Sequence, residues 1–248
     1  MTTRLNILLA EDDESNQLLM QKMLSREGHN IIVVNNGQEA IDELDKMSYD
    51  ICILDMQMPV LAGIDTLKIY KQNNPQSNLS FIILSGDDSS KTVDSCLNAG
   101  ADVYLIKPVH RPTLINAIHS LCGNEYGLVI ETDSKTTDNN IDISKLKSFN
   151  DQRFLDEFIT MFEVSADKLI NKLSLSLESD FNVFKQTVHS IKGLSGNIGA
   201  TKLREFTSQA ENINKDDYLK SSKNHYEKIS EELYKVRNEL VKYSSDNI

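Results

Sequence analysis

In the first half of the chain, short apolar runs each end in a residue able to do chemistry. Glu11, Asp12 and Asp13 follow LNILLA, Asp55 follows ICIL, Ser85 follows FIIL, and Lys107 follows VYLI. Crowded carboxylates repel one another, and a hard divalent cation such as Mg2+, which prefers oxygen ligands, relieves that repulsion. The second half carries HSIKGLSGNIGA at residues 189–200, a histidine followed by glycines at 193, 196 and 199. A glycine costs a helix interior about 1 kcal/mol relative to alanine, so a surface kept bare at such expense needs a reason. An imidazole with a reference pKa of about 6.5 is largely neutral at pH 7 and leaves a ring nitrogen free to take a phosphoryl group.

The elements that hold these residues differ between the halves. Over residues 5–122 the apolar runs alternate with amphipathic segments, among them helices expected to about residue 26 and over about 38–47. Gly28, Gly37, Gly63 and Gly100 punctuate the connections. Buried strands alternating with helices predict an α/β domain with a five-stranded, doubly wound parallel sheet. Ligands of such sheets bind beyond the carboxyl ends of the strands, where the acids, the serine and the lysine fall. A dinucleotide site there needs glycine amides after the first strand; the chain has EDDES, whose acids would repel a pyrophosphate.

Residues 131–140, ETDSKTTDNN, are polar and almost without apolar content, which predicts a linker. The expected organisation is a first domain over 1–123, a linker over 124–140 and a second domain over 141–248. Helical periods near 150–178, 180–198, 201–213 and 217–244 predict an all-α antiparallel four-helix bundle. Projection at about 100° per residue puts Phe181, Phe184, Val188, Ile191, Ser195 and Ile198 on a core stripe. His189, Lys192, Gly193, Gly196 and Ala200 form a second stripe. The plain alternative for the glycines is close packing against a neighbouring helix.

Composition removes several functions. At 248 residues the chain holds two domains, and 40% hydrophobic with 25% charged residues is ordinary for a globular protein. No apolar run approaches the roughly 18 residues of a membrane span, and the N-terminus lacks the pattern of a secretory signal, so cytoplasmic localisation is expected. Cys52, Cys96 and Cys122 have no paired spacing and are read as reduced, buried thiols. The net charge of −11 argues against nucleic acid as a partner. His29, His110, His119 and His225 are read as solvated or boundary residues.

The set LLAEDDESN, LDMQMPVLAG, ILSG and LIKPV resembles the receiver domain of two-component signalling proteins over roughly residues 4–122. The resemblance implies a flavodoxin-like fold with Asp55 as phosphoacceptor and Glu11 and Asp12 as the acidic pair. Asp12, Asp55 and the Gln57 carbonyl would be ligands of Mg2+, in a metal site that also includes Glu11. Lys107 and Ser85 would contact the phosphoryl group, and Ser85 and Tyr104 would form the switch. Tyr104 reads equally well as a half-buried strand tyrosine. The Lys107–Pro108 bond is cis in that family. HSIKGLSGNIGA resembles the phosphoacceptor helix of histidine phosphotransfer domains, a likeness extending over roughly 141–245. It implies that His189 carries phosphate, with Lys192, Gly193 and Gly196 forming the surface on which a receiver docks.

Together these resemblances imply a phosphorelay protein, partnered by a sensor histidine kinase and a downstream response regulator. Nothing resembling a kinase ATP-binding module is present, so the enzyme question stays open, as does whether the chain is whole or the tail of a hybrid kinase. The alternative from another class is a phosphorylation-gated interaction module whose bundle only docks a partner. A phosphatase with an aspartyl-phosphate intermediate would want a second Asp at position 57, where this chain has Gln57.

Overall fold

A computed structural model of the chain describes residues 4–123, 141, 152–177 and 179–246. It divides into two compact units, Met1–Asp133 and Ser134–Ile248. The expected linker at 124–140 lies outside the described residues.

In the first unit, strands and helices alternate along the chain: β1 (Asn6–Ala10), α1 (Glu14–Ser25), β2 (Asn30–Val34), α2 (Gly37–Leu44) and β3 (Ile51–Asp55). They continue as α3 (Gly63–Asn73), β4 (Ser80–Ser85), α4 (Ser90–Asn98), β5 (Val103–Ile106) and α5 (Arg111–Gly123). All neighbouring strands pair in parallel, in the order β2-β1-β3-β4-β5. This is the flavodoxin-like doubly wound sheet, whose order reverses between β1 and β3 and opens a crevice beyond their carboxyl ends.

Every residue of β3 is buried, as a strand covered on both faces requires. Leu8, Ala10, Cys52, Leu54, Phe81 and Ile83 share one core with Ala40 of α2, Leu67 of α3 and Val93 and Cys96 of α4. Residues of the opposite parity, Ile7, Leu9, Ile53, Ile82 and Leu84, are buried as well. So are Leu19, Met23 and Leu24 of α1 and Leu114 and Ile118 of α5.

The second unit is built on α6 (Gln152–Ser176), α7 (Phe181–Asn197), α8 (Thr201–Glu211) and α9 (Lys215–Asp246). They pack in cyclic order, α6 on α7, α7 on α8, α8 on α9 and α9 back on α6, the arrangement of a four-helix bundle. Asp180 caps α7, accepting from the amides of Asn182 and Val183. Arg237 of α9 binds Glu163 at 3.0 Å and Asp167 at 2.8 Å, tying α9 to α6. Phe184, Val188, Ile191, Ser195 and Ile198 of the projected core stripe are fully buried, while Phe181 at its start is half-buried.

Some sequence expectations about exposure need correction. His29 is buried rather than solvated or at the boundary, its Nδ1 accepting from the Leu5 amide at 3.4 Å, because it leads into β2 beside the start of β1. Cys122 is exposed, since it falls on the solvent side of the last turn of α5; Cys52 and Cys96 are buried as expected. The second stripe of α7 is open only in part. Gly193 is half-buried, while Gly196 and Ala200 are buried.

No helix among the described residues is long and apolar enough to cross a membrane.

Candidate functional site

Two chemical centres stand out, one in each unit. The first lies in the crevice at the ends of β1 and β3. Oxygens of Glu11, Asp12 and Asp55 come within 4.8 Å of one another there. Glu11 and Asp55 are buried, with side chains 1% and 4% exposed, while Asp12 is exposed at the mouth. Lys107, at the end of β5, bridges the two buried acids, with Nζ 2.7 Å from Glu11 Oε2 and 2.9 Å from Asp55 Oδ2.

Burial, and then the Asp55 charge, raise the Glu11 carboxyl above the usual range. Desolvation and the Glu11 charge push Asp12 up to about 6. Burial alone would lower the Lys107 ammonium, but Asp55 and Glu11 outweigh it and hold the group firmly charged. One cation among three acids leaves an excess of negative charge on hard oxygen donors, and this donor set fits Mg2+.

The backbone builds this crevice closely. The Gln57 amide donates to Asp55 Oδ1 at 3.2 Å, and the Gln57 side chain is exposed. A Cβ on Gly63 would collide with the Asp55 carbonyl, so only glycine fits there. Between them, the Leu61 amide donates to the Pro59 carbonyl at 2.7 Å, closing a tight turn over Val60. Val60 has φ +67° and is 82% exposed, a left-handed conformation unfavourable to a β-branched residue.

Ser85 is buried at the end of β4, its Oγ accepting from the Asp87 amide at 3.1 Å. Tyr104 is fully inside rather than half-buried; its hydroxyl donates to the Asp87 carbonyl at 2.6 Å and so ties β5 to the loop after β4. The Lys107–Pro108 peptide is cis. Asp13, the third acid of the run, is the N-cap of α1, accepting from the amides of Ser15 and Asn16.

The second centre is on α7. His189 Nδ1 lies 2.6 Å from Glu211 Oε1, and Lys192 Nζ donates to Glu211 Oε2 at 2.6 Å. The three side chains are 18–21% exposed. Burial alone would raise the Glu211 carboxyl, but hydrogen bonds and charge from His189 and Lys192 bring it down to about 2. An ionised carboxylate can only accept, so Nδ1 carries a proton, and in the neutral ring the lone pair is on Nε2.

Glu211 is a residue that sequence reasoning passed over. It closes α8, 22 positions from His189, and no spacing rule relates the two. Asn16, whose Nδ2 donates to Glu11 Oε1 at 2.9 Å, is another. A helical period placed Asn16 on α1 but could not say what it faces.

The first unit is therefore a doubly wound domain with a buried carboxylate under a lysine. The second is a helical bundle carrying an imidazole with one free nitrogen. The response regulator receiver domain family matches residues 7–119, and the Hpt domain family matches residues 157–239. The chain belongs to the two-component phosphorelay proteins, with a receiver domain followed by an Hpt domain.

It is similar to the sensory/regulatory protein RpfC of Xanthomonas campestris pv. campestris, 23% identical over 210 residues, covering 80% of this chain and 29% of that protein. It is also similar to the aerobic respiration control sensor protein ArcB of Escherichia coli O157:H7, 26% identical over 212 residues, covering 83% and 27%. The cell cycle transcriptional regulator CtrA of Caulobacter vibrioides is 32% identical over 149 residues, covering 55% and 62%. The chain thus spans less than a third of the length of RpfC and ArcB.

Proposed function

We propose that this chain passes phosphoryl groups between aspartate and histidine, with Asp55 and His189 as the two carriers. The observation that carries this reading is the pair of centres on one chain: a buried carboxylate held by Lys107, and an imidazole whose Nδ1 is tied to an ionised carboxylate. An Asp55 oxygen forms a new P–O bond as the P–N bond of an upstream phosphohistidine breaks, and the donor ring recovers its lone pair. Lys107 balances charge on the transferring oxygens and Ser85 offers a hydroxyl to one of them.

Asp12, Asp55 and the Gln57 carbonyl, with Glu11 behind them, are the groups that would hold Mg2+, which when bound offsets charge on the phosphoryl oxygens. His189 Nε2 takes up or returns the phosphoryl group in exchange with a receiver aspartate, its own or a partner's. Lys192 turns from Glu211 to the added charge. The half-buried Gly193 leaves room for the approaching receiver. Ser85 and Tyr104 lie where a change at Asp55 reaches the loop after β4. The partners are a sensor histidine kinase and a downstream response regulator, in the cytoplasm.

The test is to label the full chain and its Asp55→Asn and His189→Gln variants with a phosphodonor and Mg2+, then follow the acid and alkali lability of the label. Acid-labile, alkali-stable label that requires both residues is the expected result. Label confined to Asp55, with His189→Gln indistinguishable from wild type, would mean that the bundle receives phosphate from elsewhere or only docks a partner.

A further inference from the structure

We propose that Asn16 is a positioning residue for the Asp55 centre, acting through Glu11; this inference rests on the function proposed above. Asn16 is 8% exposed in the first turn of α1. Its own amide is pinned by the Asp13 cap at 3.0 Å, so its backbone is held in place by the helix start. From there its side-chain amide donates to Glu11 Oε1 at 2.9 Å, inside the protein. The Asp13 amide adds a longer bond of 3.3 Å to the same oxygen. The Gln17 side chain holds the Glu11 carbonyl at 2.5 Å. The opposite oxygen, Oε2, receives Lys107 at 2.7 Å.

Glu11 is thereby clamped from both sides, and the orientation of its carboxylate decides where Lys107 sits relative to Asp55. A glutamate side chain has free torsions, and burial removes the water that would otherwise satisfy an unbonded oxygen. Without the Asn16 amide, Glu11 turns to find another donor. Lys107 then loses a fixed partner and collapses onto Asp55, and the acids no longer present their oxygens together. Groups that orient the ligands of a cation in this way typically matter by about 10–100-fold in affinity or activity.

The experiment uses Asn16→Leu, which is similar in size, helix-compatible and unable to donate, in the full chain. Mg2+ is titrated without any phosphodonor and followed by backbone amide NMR shifts around Asp55; the rate of Asp55 labelling is then measured separately. The expected result is Mg2+ affinity weakened at least about tenfold and labelling slowed to a similar degree, with the melting temperature close to wild type. In a Glu11→Ala background, which has no side-chain acceptor for the Asn16 amide, the same substitution should add nothing, because its path of action is already cut. Should Asn16→Leu fail to fold, Asn16→Ala carries the same expectation.

Affinity and labelling within twofold of wild type would overturn the inference, as would full additivity with Glu11→Ala. A wild-type chain that neither binds Mg2+ nor takes label at Asp55 would instead overturn the reading on which it rests.

Discussion

At the residue scale, Glu211 governs the histidine more directly than any residue of its own helix. It accepts from Nδ1 of His189 and from Lys192 through its two oxygens, and so sets the tautomer that leaves Nε2 open. The hydrogen bonds and charges of His189 and Lys192 hold its carboxyl at about 2, well below the usual carboxylate range. A depressed carboxylate stabilises the folded state fully above its unfolded value and loses that contribution as pH falls through the folded one. We expect Glu211→Gln to lower the stability of the bundle by about 1–3 kcal/mol at neutral pH and to flatten its acid limb between about pH 4.5 and 2. Urea unfolding at a series of pH values measures both. Imidazole 15N shifts should move from a pure Nδ1–H ring toward a tautomer mixture, since the glutamine amide can donate as well as accept. An unchanged acid limb would show that the carboxylate carries no such linkage.

At the element scale, the turn between β3 and α3 holds Val60 in a conformation unfavourable to a β-branched residue. Val60 is held at φ +67° with its side chain 82% exposed. A left-handed conformation costs an ordinary residue about 1–2 kcal/mol, whereas asparagine tolerates it. Val60→Asn should therefore raise the stability of the first unit by about 0.5–1 kcal/mol, a gain that denaturant unfolding would detect. No gain would mean that the turn relaxes in solution. The turn's geometry was not legible beforehand, because valine ordinarily signals strand. Gly63, by contrast, was legible as punctuation, although its reason, the nearness of the Asp55 carbonyl, emerged only from the fold.

At the scale of the whole molecule, two units with separate cores share one chain, joined by a segment whose sequence is polar. For a random coil of about 18 residues the expected span is about 25 Å and the effective concentration in the millimolar range, the value that an exchange within one chain would draw on. If Asp55 and His189 exchange phosphate within one chain, the first-order rate constant should not change on dilution. Following the transfer of label over a hundredfold range of protein concentration tests this. A rate proportional to concentration would assign the exchange to separate molecules.

Local pattern determined much of this protein by itself. The alternation of LNILLA, ICIL, FIIL and VYLI with amphipathic segments specifies a parallel sheet, and the residue after each run falls at a strand end. Period 3.6 sets out the bundle helices to within a few residues and names the buried side of α7. Asp55, Lys107 and His189 were therefore legible, since each sits where its own strand or helix puts it. What the tertiary structure alone decided is which side chains meet across elements. Glu211 reaches His189 from α8, Asn16 reaches Glu11 from α1, Gly196 is buried and His29 is buried beside the start of β1. Those pairings depend on how rigid elements pack, and packing is set by the shapes of whole surfaces rather than by any interval along the chain.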